Sequence, residues 1–207
     1  MTWAYLWATV SARKRRGKLF VPIVLMLGVI PDVDLFLAPF GVAHHTFTHS
    51  LFFWLIISAP FFVAFRRRAF PYLVAVVQHF AFEDFLFGTV MILWPFSQSF
   101  FGFNIPMAST LDVALETTGL LLAAGVSYFN GDLKRLLSVD STNFLMFLPF
   151  LALLASMLYF AVDWTATPLI AYILSRKLLT ALVLSHIALL AVLAVSTLQG
   201  LRKPIEK

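Results

Sequence analysis

The stretch LFFWLIISAPFFVAF, residues 51–65, contains no charged side chain, and it runs directly into Arg66, Arg67 and Arg68. A fifteen-residue apolar run ended by three arginines is the pattern of a lipid-facing helix stopped by a basic loop. The same alternation repeats along the chain. Apolar runs lie near residues 19–37, 69–87, 111–129, 144–162 and 178–198, and basic clusters fall between them. Of the 207 residues, 61% are hydrophobic and 12% charged, against about 25% charged in an ordinary soluble domain. The expectation is a single all-α integral membrane domain over residues 1–207: a polytopic transmembrane helical bundle of about six spanning helices. A short interfacial or half-inserted helix over residues 1–12 precedes it. Residues 88–96, bracketed by Gly88 and Pro95, read as a broken or re-entrant segment.

The basic residues orient this bundle. Thirteen of the fifteen lysines and arginines lie in Arg13–Lys18, Arg66–Arg68, Lys134–Arg135 and the tail. The segments 38–50 and 97–110 have none. The positive-inside rule makes the basic segments cytoplasmic and the two others external, in a cell (inner or plasma) membrane. Arg176 and Lys177 depart from the pattern and can snorkel to the outer interface. RKRRGK followed by Leu19–Ile30 looks like the start of a signal peptide, but the PDVD at residues 31–34 has no place in one, so the segment reads as an uncleaved first helix. The net charge of +5 is dispersed as topology signals, so nucleic acid is not an expected partner; the lipid bilayer is. The absence of cysteine excludes disulfides and thiolate metal sites.

Against that topology the acids and histidines gather in one half, residues 32–116. Asp32 and Asp34 end the first apolar run. His44, His45 and His49 follow in the external loop. His79 and Glu83 are four apart on one helix, so α-helical spacing puts them on one face, with Asp84 one position off it, as plausible behind the site as in it. Asp112 and Glu116 start the fourth run. His186 stands apart and reads as a packed histidine. Ionisable groups within a membrane are expensive and mark function by default. Imidazole mixed with carboxylate and no sulfur suits zinc, manganese or iron. The candidate ligands are Asp32, Asp34, His44, His49, His79 and Glu83, enough to serve one divalent ion, zinc by preference, or two. Glu83, His45 and Glu116 are the candidates for catalytic roles, with His45 placed to meet an anionic group. Helix caps, polar loop residues and a buried His–Glu pair would account for these features one by one. Their combination is what points to metal.

The residues Pro31-Asp32-Val33-Asp34, His44-His45, Thr48-His49-Ser50, His79 with Glu83, and Trp94-Pro95-Phe96 resemble, in order and spacing, the membrane-bound metal-dependent hydrolases: the YdjM-like family, also described as LexA-binding, inner-membrane-associated hydrolases. The resemblance covers roughly residues 20–100. Three positions depart from it. The family has a histidine close to the N-terminus and this chain has Trp3, Tyr5 and Trp7 there; a family arginine is His45; and the acid on the third helix, usually aspartate, is Glu83. The resemblance implies a metal-dependent hydrolase, and the family's distant similarity to zinc-dependent phospholipases C implies a phosphoester substrate. An amphipathic or lipid-linked phosphoester at the external interface is therefore the expected substrate. The alternatives are a non-catalytic membrane scaffold or subunit that keeps a metal-binding fold, and an ion or proton transporter. The transporter is disfavoured because no acid or histidine continues the path from the cluster to the basic face.

The topology has a direct check. A cysteine introduced as Thr46→Cys, the only thiol in the chain, should react with a membrane-impermeant reagent added to intact cells. Reaction only after the cytoplasmic face is opened would reverse the orientation.

Overall fold

Alanines at positions 4, 8 and 12 recur one helical turn apart in the first helix, α1 (Thr2–Arg13), and all three are buried. Small side chains at this spacing let helix backbones approach closely. Ala4 and Ala8 meet Val24 of α2 (Val21–Leu27) and Ala75 of α4 (Phe70–Gln78) in one core cluster. Gly28, which follows α2, completes the fit: a Cβ there would lie 2.5 Å from the Ala4 Cβ. The expected short N-terminal helix is thus present, with one face buried against α2 and α4. Its outer aromatics Trp3 and Trp7 pack edge-on against Phe82.

The structure, a computed structural model, describes residues 1–13, 19–106, 109–136, 138, 144–145, 147 and 177–202. The expected span at 144–162 lies outside these apart from three residues. The chain forms two compact units, Met1–Pro106 and Met107–Lys207. The described elements are all helical. Among the described residues the only β feature is an isolated antiparallel bridge between Val90 and Phe101.

In the first unit the expected span over 19–37 is broken. α2 ends after seven residues, and a 3-10 helix, Ile30–Phe40, takes over. Pro31 is the local cause, because it has no N–H to continue the α ladder. A 3-10 turn, Phe47–His49, leads into α3 (Leu51–Phe65). The Ser50 hydroxyl caps α3 by accepting from the Phe53 N–H at 3.5 Å, and it donates to the Trp94 carbonyl. α3 has the expected boundaries, and of its residues only Trp54 is buried; Ile56, Phe61, Val63 and Phe65 are exposed. Its fifteen residues rise about 22 Å, short of the ~30 Å hydrocarbon layer. The exposed turn Arg66–Arg68 reverses the chain into α4. α4 continues through a five-residue π turn, His79–Glu83, into α5 (Asp84–Phe87). Residues 88–96 leave the helix, as the sequence leads one to expect, and fold back: the Phe103 N–H reaches the Phe85 carbonyl at 2.7 Å and the Val90 N–H the Phe101 carbonyl at 2.9 Å.

The second unit contains α6 (Thr110–Asn130), α7 (Asp132–Leu136) and α8 (Lys177–Arg202). Ser109 caps α6, accepting from the Asp112 N–H at 3.2 Å. Gly119, Ala123 and Ser127 form a buried small-residue stripe on α6. α6 is the one helix among the described residues that is long and apolar enough to cross a membrane; α8 carries a shorter apolar stretch, Ile187–Leu201. The all-helical class therefore stands, whereas six full-length spans do not emerge among the described residues.

Gly28→Ala should push α1 off α2, since neither Ala4 nor the α2 backbone can swing aside. Overpacking of this kind costs about 1–3 kcal/mol, readable as a lowered thermal midpoint in detergent. An unchanged midpoint would mean that α1 is not held as described.

Candidate metal centre

Three segments far apart in sequence supply the centre. The 3-10 geometry of Ile30–Phe40 sends residues two apart in different directions. Asp34 is fully buried, while the Asp32 side chain stays 28% exposed. Thr48, His49 and Ser50 are all buried. They are pinned from several sides: the Trp54 indole N–H donates to the Thr48 carbonyl at 2.6 Å, the Thr48 hydroxyl donates to Asp34 Oδ2 at 2.6 Å, and Ser50 is tied to Trp94.

The third segment is the π turn. In an α-helix His79 would share its face with Glu83. A π turn holds one residue more, so the residue five ahead comes under His79 instead. That residue is Asp84. His79 Nε2 lies 3.2 Å from Asp84 Oδ2 and 3.1 Å from Asp32 Oδ1; His49 Nε2 lies 3.2 Å from Asp84 Oδ2 and 3.5 Å from Asp32 Oδ1. Asp32, His49, His79 and Asp84 thus form a buried cluster with one ligand atom each, all within 4.8 Å of one another. This cluster can hold a metal ion. Ligands about 2.0–2.2 Å from a tetrahedral ion stand about 3.3–3.6 Å apart, and the four nitrogen–oxygen separations, 3.1 to 3.5 Å, lie at or just below that range. His49 Nε2 and Asp84 Oδ2 are buried and make no hydrogen bond in good geometry. An ion between them would satisfy both.

The other acids stand behind the histidines. Asp34 Oδ2 lies 3.2 Å from His49 Nδ1, and its Oδ1 lies 2.7 Å from His44 Nδ1. Glu83 Oε2 lies 3.3 Å from His79 Nδ1. A carboxylate at Nδ1 favours the tautomer that turns Nε2 to metal; His49 Nδ1 also meets the Thr48 hydroxyl at 3.0 Å, whereas His79 Nδ1 has Glu83 near it but makes no hydrogen bond in good geometry. Glu83 also accepts from Gln78 Nε2 at 3.2 Å and meets the Met1 ammonium at 3.1 Å. Three candidate ligands stand outside the four-residue cluster: Asp34 and Glu83 lie behind its two histidines, and His44 belongs to the neighbouring group. Asp84, read from sequence as equally plausible behind the site, is in the cluster. His44 and His45 form a separate group with His49, again with ligand atoms within 4.8 Å. Asp112 and Glu116 lie on α6 in the second unit. The side chain of His186 is outside the described residues.

Electrostatics separates the loop histidines. Burial disfavours charge on His49, but the carboxylates of Asp32, Asp34 and Asp84, all within 3.5 Å of its ring nitrogens, outweigh that and raise its pKa to about 10. The same carboxylates that would keep a proton on this ring suit a cation beside it. His45 is governed by burial, only partly offset by Asp84, and is lowered to about 4. It is a neutral ring at physiological pH.

No model of a known protein family, no curated protein and no solved structure matches the chain.

The division into ligands and backing groups predicts unequal losses. Asp84→Ala should abolish stoichiometric metal. Glu83→Gln should still take up an ion, with affinity lower by about 10–100-fold, the usual effect of altering a group behind a ligand. Metal content measured by mass spectrometry after dialysis decides it; the reverse ranking would restore Glu83 as the ligand.

Proposed function

We propose that this protein is a membrane-embedded metal-dependent hydrolase acting on a phosphoester, a phospholipid or another lipid-linked phosphate, at the external interface. The observation that carries the reading is the convergence of Asp32, His49, His79 and Asp84, two imidazoles and two carboxylates with no sulfur. That donor set and its spacing favour zinc. A bound divalent ion supplies a Lewis acid and brings the pKa of a coordinated water toward about 7. The chain's own part is to set the Asp34 and Glu83 carboxylates 3.2 and 3.3 Å from Nδ1 of His49 and His79, with Nε2 of each ring toward the cluster. His44 and His45 lie beside the cluster, partly exposed, where an anionic group of a substrate can meet them.

The surroundings favour an amphipathic substrate. Gly88 sits against the His45 ring, and the segment returning past Gly88 carries the exposed Phe100, Phe101 and Phe103. A phenylalanine-rich rim beside a polar centre suits a molecule with an apolar tail and a phosphate head. The membrane placement draws on the polarity of α3. Its N-terminus adjoins the centre through His49 and Ser50, and its C-terminus meets Arg66–Arg68, about 22 Å away. An acid-and-histidine end opposite an arginine end is what the positive-inside rule requires of an externally facing site. The exposed apolar residues between them suit contact with lipid.

The π turn also bears on the resemblance to the YdjM-like hydrolases. If the aspartate of that family's third helix corresponds to Asp84, with the π turn absorbing one extra residue, Glu83 is no longer a departure. The second reading, a non-catalytic scaffold, draws on α1, which brings the Met1 ammonium to Glu83 and no histidine.

Zinc-loaded protein in detergent should release nitrophenol from bis(p-nitrophenyl) phosphate and hydrolyse phosphatidylcholine in mixed micelles. A chelator should abolish the activity, zinc should restore it, and Asp84→Ala should lower it at least ~100-fold. Full zinc occupancy with no turnover of either phosphoester would leave the scaffold reading.

A further inference from the structure

His44 and His45 are not explained by a single ion. Their rings are tilted 34° to each other, with centroids 3.8 Å apart, and stand 5.0 and 4.8 Å from the ring of His49. His45 adopts φ +64°, a left-handed conformation that a residue with a Cβ adopts at some cost. Two hydrogen bonds hold it there. Its N–H donates to Asp34 Oδ2 at 3.2 Å, and its carbonyl accepts from the Met91 N–H at 3.0 Å. Gly88 leaves room for the ring: a Cβ at that position would lie 3.1 Å from His45 Cε1. The strained backbone and the missing side chain together turn the His45 ring toward His49.

His44 is oriented as the histidines of the first cluster are. Its Nδ1 lies 2.7 Å from the buried Asp34 Oδ1, which leaves Nε2 as the ligating atom, 3.9 Å from Asp32 Oδ1. His49 offers Nε2 only once, and its short contacts with Asp32 and Asp84 assign it to the first cluster. His49 is common to the two groups, and Asp32 is the carboxylate that reaches both, 3.5 Å from His49 Nε2 and 3.9 Å from His44 Nε2.

We propose a second divalent-cation site, held by His44 and His45 and joined to the first through the Asp32 carboxylate. It rests on the metal-centre reading of the first cluster. It places two ions side by side, about 3.5–4 Å apart as in other two-ion phosphoester sites, with the second at the more exposed mouth. Asp32, alone among the cluster's carboxylates, has a side chain more than a quarter exposed toward that mouth. The second ion is accordingly the more readily exchanged.

The test uses the full chain purified in detergent, stripped with a chelator and titrated with Zn²⁺, with bound metal measured by mass spectrometry. Wild type should bind two ions per chain. His45→Asn should bind one, because asparagine tolerates the left-handed backbone and so removes the ligand without disturbing the turn. Mn²⁺-loaded wild type should give the electron paramagnetic resonance signature of a coupled pair, and His45→Asn that of an isolated ion. One ion in wild type, or two in His45→Asn, would overturn the second site and leave the first intact. No bound ion in wild type would remove both.

Discussion

Four carboxylates, Asp32, Asp34, Glu83 and Asp84, are drawn into one small region of the first unit, and two of their side chains are almost sealed from water. Buried negative charge is tolerated only where positive charge or hydrogen-bond donors meet it. Everything around the centre answers that requirement. The Thr48 hydroxyl and the His45 N–H serve Asp34, Gln78 and the Met1 ammonium serve Glu83, and the imidazoles are placed between the acids. The packing of α1 on α4, through alanines that let the helices close up, is what brings Met1 within reach of Glu83. The 3-10 turn before α3 does the same for His49.

The arrangement works in two layers. The inner atoms, His49 Nε2, His79 Nε2, Asp32 Oδ1 and Asp84 Oδ2, face one another without good hydrogen bonds between all of them. The outer carboxylates, Asp34 and Glu83, are satisfied by other donors and lie against Nδ1 of the two rings. A site built this way is pre-organised, since the outer layer need not move when the inner one takes up a cation. His44 and His45 lie outside both layers and are half-buried.

Much of the centre was legible in the sequence because it depends on residue type: Asp32, His49 and His79 are polar groups in apolar surroundings, and such groups need partners. The helical class was legible for the same reason, and α3 and α6 fall close to the expected boundaries. What could not be read depends on local backbone geometry. Pro31 interrupts a helix that hydropathy alone would run through, and nothing in HFAFED announces a π turn rather than an α turn. Reading that stretch at 3.6 residues per turn selects Glu83 as the ligand and sets Asp84 aside. The pairing of the Met1 ammonium with Glu83 joins residues 82 positions apart, and no local pattern signals it.

A π turn is an α turn with one residue more, and one residue is one codon. The register that puts Asp84 beneath His79 is therefore what a single in-frame insertion into an ordinary helix would produce, provided the displaced neighbour found other company, as Glu83 does with Gln78 and the Met1 amine. A gapless alignment of this helix with one lacking the bulge would set Glu83 in the column that belongs to Asp84 and shift every helical position beyond it by about 100°. Genes that differ here by three nucleotides would encode the same centre while appearing to have exchanged one of its acids.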